Sequence, residues 1–141
     1  NEGISSYEST NNRSQSIKKG KYKIILDAYN ANPSSMKASI TSFISNKKNK
    51  GAVILGDMFE LGTYSKEAHQ EMLDELVSSE IESILVVGEQ FFRTLSDDPR
   101  VNRYKSLEEV KKFLTQNTFE QTEILIKGSR GMAMETLLDY L

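Results

Sequence analysis

The chain has 141 residues, enough for one domain with a hydrophobic core; 38% of them are hydrophobic and 27% are charged. The formal net charge of -2 gives no electrostatic basis for binding nucleic acid or an anionic membrane. There is no cysteine and one histidine, which excludes disulfides, thiolate metal sites, a cysteine nucleophile and multi-histidine metal sites.

The first 21 residues are polar and predict a lead-in linker or strand ahead of a single domain over residues 22–141. They begin Asn-Glu-Gly-Ile, without an initiator methionine or a basic-then-apolar signal pattern. No apolar run approaches the roughly 20 residues that a membrane helix needs. We therefore expect the chain to be an internal part of a longer protein, starting where a domain begins.

Four short apolar runs and a weaker segment at 101–104 predict strands, and helical patterns separate them. The predicted strands are 22–27, 51–56, 83–87, 101–104 and 123–127. The predicted helices are 33–45, 65–79, 89–95, one capped by Ser106 and Glu109, and a last one through residues 134–141. This alternation predicts a Rossmann-like three-layer α/β domain, with a mostly parallel sheet of about five or six strands and helices on both faces.

The turn over residues 27–33 contains a carboxylate and two carboxamides between a predicted strand and a predicted helix. Asn32 is a candidate N-cap, and Pro33 suits the first helical position. Ligands of open α/β sheets bind at the carboxyl ends of the strands. Asp27 and Asn32 are therefore candidate ligand contacts; the alternative is that they only satisfy hydrogen bonds of the turn and cap.

The turn after the last predicted strand places two cations, Lys127 and Arg130, at or just before a helix amino end. A cation there opposes the helix dipole at a cost of about 0.3–1 kcal/mol. A bound anion would neutralise both cations and accept the free amides, so the pattern favours an anion site. The alternative is that both side chains point into water.

Three other polar residues have open roles. Arg13 can bind a phosphate or carboxylate through two parallel hydrogen bonds, although an isolated surface arginine usually only makes the protein more soluble. His69 borders the apolar stripe of its helix and is expected to be packed or hydrogen-bonded rather than a base. Glu60, in the loop over residues 56–62, either binds a cation or caps the following turn.

The pattern Gly-x-x-x-x-Gly-Lys-Ser/Thr is absent, so a P-loop is not expected.

Four sequence blocks occur in an order that resembles the carboxyl-terminal domain of the Mur ligases. They are Asn-Arg-Ser-Gln at 12–15, Asp-Ala-Tyr-Asn-Ala-Asn-Pro at 27–33 with Ser35-Met36, Leu-Gly-Asp-Met-Phe-Glu-Leu-Gly at 55–62 with His69, and Lys-Gly-Ser-Arg-Gly-Met at 127–132 with Met134-Glu135. The resemblance covers nearly the whole chain. The second block is typical of the family member that adds a D-alanyl dipeptide.

The resemblance implies a bacterial, cytoplasmic ligase that joins D-alanyl-D-alanine to UDP-N-acetylmuramoyl-tripeptide in peptidoglycan precursor synthesis, and so serves cell-wall biogenesis and cell division. It implies ATP and magnesium as cofactors and an acyl phosphate intermediate. An amino-terminal UDP-sugar domain and a central ATPase domain, which would bind magnesium, are not found in this chain. We therefore expect the chain by itself to lack ligase activity.

The resemblance also implies a division of the candidate residues into two groups. On the ATP side are Arg13, Asp27 and Asn30. On the side that receives D-alanyl-D-alanine are Asn32, Lys127, Ser129 and Arg130. Neither a metal ligand nor a complete catalytic set is expected within the chain, and its expected partners are the substrates and the central ATPase domain.

Three other classes of protein remain as alternatives. A signalling receiver domain needs a phosphoacceptor and an acidic cluster, but the third predicted strand is followed by Gly88 and Glu89. An autonomous dinucleotide-binding domain needs Gly-x-Gly-x-x-Gly after the first strand, where this chain has Asp27-Ala28-Tyr29. A plain interaction module would tolerate alanine at Arg13, Asp27 and Lys127 without loss of turnover.

Overall fold

The computed structural model describes residues 15–27, 32–59, 61–117, 120 and 123–141, and for Arg130 it describes the backbone alone. Within this part, the strands are β1 Gln15–Lys19, β2 Tyr22–Asp27, β3 Gly51–Gly56, β4 Ser83–Val87, β5 Val101–Tyr104 and β6 Glu123–Lys127. The α-helices are α1 Pro33–Asn46, α2 Ser65–Val77, α3 Glu89–Phe92 and α4 Leu107–Gln116. Short 3-10 helices cover Gly62–Tyr64, Arg130–Met132 and Met134–Tyr140.

The six strands form one sheet in the order β1-β2-β6-β3-β4-β5. β1, from the predicted lead-in segment, is antiparallel to β2, and the other neighbouring strands are parallel. The predicted mostly parallel α/β sheet is confirmed. β6 comes last in the chain but lies between β2 and β3, so the carboxyl ends of β2, β6, β3 and β4 follow one another along one edge.

The sheet is covered on both faces. β3 and β6 are buried over their full length between two helical layers, and β6 has a charged residue at each end, Glu123 and Lys127. On one face, α1 and α2 contribute Met36 and Leu73 to the core; on the other, α4 and the last 3-10 helix contribute Val110 and Leu137. None of the helices in the described residues has the length and apolarity to cross a membrane.

The last predicted helix is a 3-10 helix rather than an α-helix. Ala133 has φ 54° and lies in the left-handed region, which separates the 3-10 turn Arg130–Met132 from the 3-10 helix Met134–Tyr140. Met134 and Leu137 are nevertheless fully buried, because residues three apart share a face of a 3-10 helix. The apolar spacing therefore predicted the buried face correctly but could not distinguish the two helix types.

The predicted capping box at the start of α4 also differs. Ser106 is the N-cap, but its side chain makes no capping hydrogen bond. The Glu109 carboxylate instead accepts the backbone N–H of Lys105 at 2.8 Å, one residue earlier than a capping box requires. A reciprocal capping box is present in α1, where the sequence predicted only that Asn32 is the N-cap.

Candidate functional site

Two of the predicted site residues meet at the carboxyl edge of the sheet. Asp27 and Lys127 are the last residues of β2 and β6, and the parallel register pairs them directly. Lys127 donates from Nζ to Oδ2 of Asp27 at 2.7 Å. Lys127 is 0% exposed and Asp27 is 7% exposed. The fold thus turns two residues that are 100 positions apart into a buried ion pair.

This pair removes the basis for an anion site at Lys127. Lys127 lies in a strand rather than at a helix amino end, and the segment that follows is a three-residue 3-10 turn. The helix-dipole argument for Lys127 is therefore wrong, because its counter-charge is Asp27 of the same chain. Its assignment to the dipeptide side remains a prediction.

Asn32 is used as the N-cap of α1, as predicted. Its side-chain Oδ1 accepts the backbone N–H of Ser35 at 2.9 Å, and the Ser35 hydroxyl accepts the backbone N–H of Asn32 at 3.1 Å. With Pro33 at the start of the helix, this local arrangement fixes the path by which the chain enters α1.

Ser129 joins the loop after β6 to the loop after β3. Its Oγ accepts the backbone N–H of Phe59 at 3.0 Å, and its own N–H donates to the Asp57 carbonyl at 3.2 Å. The two loops approach closely: a Cβ at Gly128 would lie 2.7 Å from Cγ of Met134 and 3.2 Å from Cα of Gly56. A side chain at position 128 would push these loops apart.

Asp57 has a structural role that the sequence reasoning missed. Its Oδ2 accepts the backbone N–H of Gln90 and its Oδ1 that of Phe91, each at 3.0 Å. A carboxylate thus binds the free amides at the start of α3 from within the protein. Gly88 makes room for it, because a Cβ there would lie 2.3 Å from Cγ of Asp57. The Gly88-Glu89 turn after a buried strand was the available signal, but its partner is 31 residues earlier.

His69 holds the same loop from the opposite side. Its Nε2 accepts the backbone N–H of Met58 at 2.9 Å, and its Nδ1 lies 2.6 Å from the Ser65 carbonyl, to which it donates. Burial lowers the pKa of His69, although the bond to Ser65 and the Asp57 carboxylate act in the other direction. The interpretation of His69 as a packed, hydrogen-bonded residue is confirmed, and the side chain is fully buried rather than at a border.

A cleft of about 600 Å³ lies beside these loops, at the ends of β3, β4 and β5. Its walls include Phe59, Gly88, Gln90, Lys105 and Gly131. Phe59 is 45% exposed, and its ring packs so closely on Gly131 that a Cβ there would lie 2.8 Å from it. The cleft therefore offers an aromatic face, backbone that can be closely approached and a lysine.

Other site predictions fall outside the described residues. These are Arg13, Asn30, Glu60 and the side chain of Arg130. The part of the site that the structure describes consists of the Asp27–Lys127 pair, Asn32, Ser129 and the cleft.

The sequence and the fold match known proteins. The glutamate ligase domain of the Mur ligases matches residues 12–130. UDP-N-acetylmuramoyl-tripeptide–D-alanyl-D-alanine ligase of Rickettsia prowazekii is 32% identical over 122 residues, which are 84% of this chain and 27% of the relative. The Bacillus subtilis protein of the same name is 32% identical over 148 residues, covering 99% of this chain and 32% of the relative.

Two solved structures share the fold. MurF from Acinetobacter baumannii aligns with a TM-score of 0.81 and 29% identity, over 93% of this chain and 30% of that chain. The MurF ligase of Thermotoga maritima, solved in complex with ADP, aligns with a TM-score of 0.69 and 25% identity, over 90% of this chain and 29% of that chain. This chain thus spans less than a third of the length of either protein.

Proposed function

This chain belongs to the Mur ligase family, and from that premise we propose that it is the carboxyl-terminal domain of a ligase adding D-alanyl-D-alanine to UDP-N-acetylmuramoyl-tripeptide. The observation that carries the proposal is the match along 99% of the chain to the Bacillus subtilis ligase of that name. The agreement in fold with MurF of Acinetobacter baumannii supports it independently of sequence identity. Residues 22–141 would form the domain, with the preceding residues as its lead-in.

The proposed reaction has two steps. The carboxylate of the tripeptide attacks the γ-phosphorus of ATP, forming an acyl phosphate and releasing ADP. The amine of D-alanyl-D-alanine then attacks the acyl carbon, and the amide forms as phosphate and a proton leave. The reaction belongs to peptidoglycan precursor synthesis and takes place in the bacterial cytoplasm.

Magnesium is expected with ATP in such a reaction, but the described residues do not suit it. No group of three or more histidine, aspartate or glutamate side chains is arranged in them to hold a metal. We therefore assign no metal step to this chain and propose that the magnesium ligands belong to the central ATPase domain. Without that domain, the chain would lack phosphoryl transfer and so be inactive on its own.

On the ATP side, we propose contacts from Arg13, Asp27 and Asn30, with Arg13 at the phosphates. The carboxylate of Asp27 would accept hydrogen bonds from the ribose hydroxyls. Its place at the end of β2 supports this, because ligands of parallel sheets bind beyond the carboxyl ends of the strands.

On the dipeptide side, we propose Asn32, Ser129 and Arg130; Lys127, which the resemblance also assigns to that side, is 1% exposed and bonded to Asp27. The Ser129 hydroxyl accepts the backbone N–H of Phe59, and both Phe59 and Gly131 line the cleft. Ser129 therefore lies next to the cleft, which supports its assignment to the dipeptide side. The exposed Phe59 ring suits the methyl groups of a D-alanyl dipeptide, and a cationic side chain suits its carboxylate.

The test uses the full-length ligase that contains this chain. Incubation with UDP-N-acetylmuramoyl-tripeptide, D-alanyl-D-alanine and ATP should yield the pentapeptide product and one ADP per amide bond. Omission of either the UDP-linked tripeptide or the dipeptide should stop product formation. The 141-residue chain alone serves as the negative control. Ligation of a single amino acid in place of the dipeptide would keep the family but overturn the proposed substrate. A stable aspartyl phosphate formed from acetyl phosphate would instead favour a receiver domain.

A further inference from the structure

The ion pair of Asp27 and Lys127 lies at the proposed ATP side of the sheet, and it is buried. Both side chains end neighbouring parallel strands, and the backbones beyond them remain linked, since Gly128 N–H donates to the Asp27 carbonyl at 3.4 Å. The 2.7 Å contact therefore joins two groups whose backbones are already fixed.

Stability alone does not explain such a pair. Removing two charges from water is costly, and apolar residues of similar volume often stabilise a protein equally well or better. The rest of β6 between its ends follows that rule, because Ile124, Leu125 and Ile126 are all apolar and at most 1% exposed. A buried pair that ends this apolar run at the ligand-binding edge points to a role in function.

We propose that Lys127 is a positioning residue for Asp27, an inference that rests on the proposed contact between Asp27 and the ribose of ATP. By holding Oδ2, the ammonium group fixes the plane of the carboxylate before the nucleotide arrives. A carboxylate that is already oriented loses less conformational entropy when it accepts the ribose hydroxyls.

This role differs from a direct contact between Lys127 and the dipeptide. The side chain of Lys127 is 1% exposed, and its Nζ is directed at Asp27. A ligand outside the sheet would meet the side chain of Asp27, of which 10% is exposed, more readily than that of Lys127. Lys127 would therefore affect ATP through Asp27, and the dipeptide not at all.

The experiment compares variants of the full-length ligase by their separate KM values for ATP and D-alanyl-D-alanine. Lys127→Met should raise the KM for ATP by about 10-fold or more, by analogy with the loss of a residue that orients a metal ligand. The KM for the dipeptide should stay within about 2-fold. Lys127→Arg keeps the charge and should recover part of the ATP affinity. In an Asp27→Asn background, Lys127→Met should have little further effect, because the residue it positions is already altered.

Glu123→Gln is the matched control. Glu123 begins the same strand at the opposite edge of the sheet, is 6% exposed, and accepts the backbone N–H groups of Lys48 and Asn49 at 2.7 Å each. This variant should lose stability without changing the KM for ATP. If Lys127→Met does not fold, Lys127→Gln, which keeps a donor without the charge, takes its place in the same comparison.

The outcomes separate the two proposals. If Lys127→Met raises the KM for the dipeptide and leaves that for ATP unchanged, Lys127 is a dipeptide contact and the positioning role is overturned. If Asp27→Asn raises the KM for ATP but Lys127→Met does not, only the positioning role fails. If Asp27→Asn leaves the KM for ATP unchanged, the proposed ribose contact fails and the inference fails with it, while ligase activity still supports the proposed reaction.

Discussion

His69 accepts the backbone N–H of Met58 through Nε2 at 2.9 Å, so a side chain of α2 holds the loop that follows β3. Nδ1 is then the protonated nitrogen, and it donates to the Ser65 carbonyl at 2.6 Å. The ring packs against Phe91 in a T-shaped arrangement, with 4.7 Å between the ring centroids. Protonation of Nε2 would break the bond to Met58 and place a charge in a fully buried site.

The free energy of unfolding should therefore fall as the pH drops below about 6.5, the ordinary pKa of histidine. Burial lowers the pKa of His69 in the folded protein, so between the two pKa values the unfolded chain binds a proton that the folded chain does not. Stability is then full above pH 6.5 and is lost progressively as the pH falls toward the lowered value.

Urea unfolding between pH 8 and pH 5 measures this effect in the 141-residue chain. Since the chain has one histidine, His69→Gln should flatten the dependence in this range. A slope of the same size in the variant would assign the effect to other groups.

Gly88→Ala should be strongly destabilising, by about 2–5 kcal/mol, from backbone strain together with overpacking. Gly88 has φ 119°, and a Cβ would enter the carboxylate of Asp57. Gly20→Ala is the matched control: Gly20 has φ 59°, but nothing lies within 4 Å of its Cβ position. Gly20→Ala should lower the free energy of unfolding only through the strain of a left-handed backbone, by about 1–2 kcal/mol. Equal losses of unfolding free energy in the two variants would contradict the role given to Asp57.

Asp57→Ala should destabilise the chain by about 1–3 kcal/mol, because two backbone N–H groups at the start of α3 lose their acceptors. Asp57→Asn keeps one acceptor oxygen and should cost less. Chemical denaturation gives both values, with the exposed Asp97→Asn as the control, expected to stay within about 0.5 kcal/mol of the parent. A loss as small as that of the control would show that α3 does not depend on this cap.

Replacement of the ion pair as a whole should separate stability from function. Lys127→Met alone leaves the buried Asp27 carboxylate without its cation and should cost about 3–5 kcal/mol. The double variant Asp27→Leu/Lys127→Met removes both charges and should recover most of that loss. In the full-length ligase, the double variant should nevertheless fail to bind ATP normally. If the double variant were no more stable than Lys127→Met, the pair would be required for the fold itself.

Much of the fold followed from local patterns. Apolar runs such as Ile24 to Leu26 predicted the strands because a strand covered on both faces has no polar side. Asn32 followed by Pro33 predicted the start of α1 because capping depends only on neighbouring residues. The final helix was misassigned because spacings of three and four overlap between 3-10 and α-helices, and the left-handed Ala133 carries no distinctive local signal.

By itself, the sequence determined the α/β class, the buried faces and the resemblance to the Mur ligases, since these depend on residue types at short, regular spacing. Only the tertiary structure decided that β6 lies between β2 and β3, and with it that Lys127 pairs with Asp27. It also decided that Asp57 and His69 support the loops of the site rather than bind a ligand through exposed groups. Such contacts join residues up to 100 positions apart, and they depend on strand order, which local spacing does not encode.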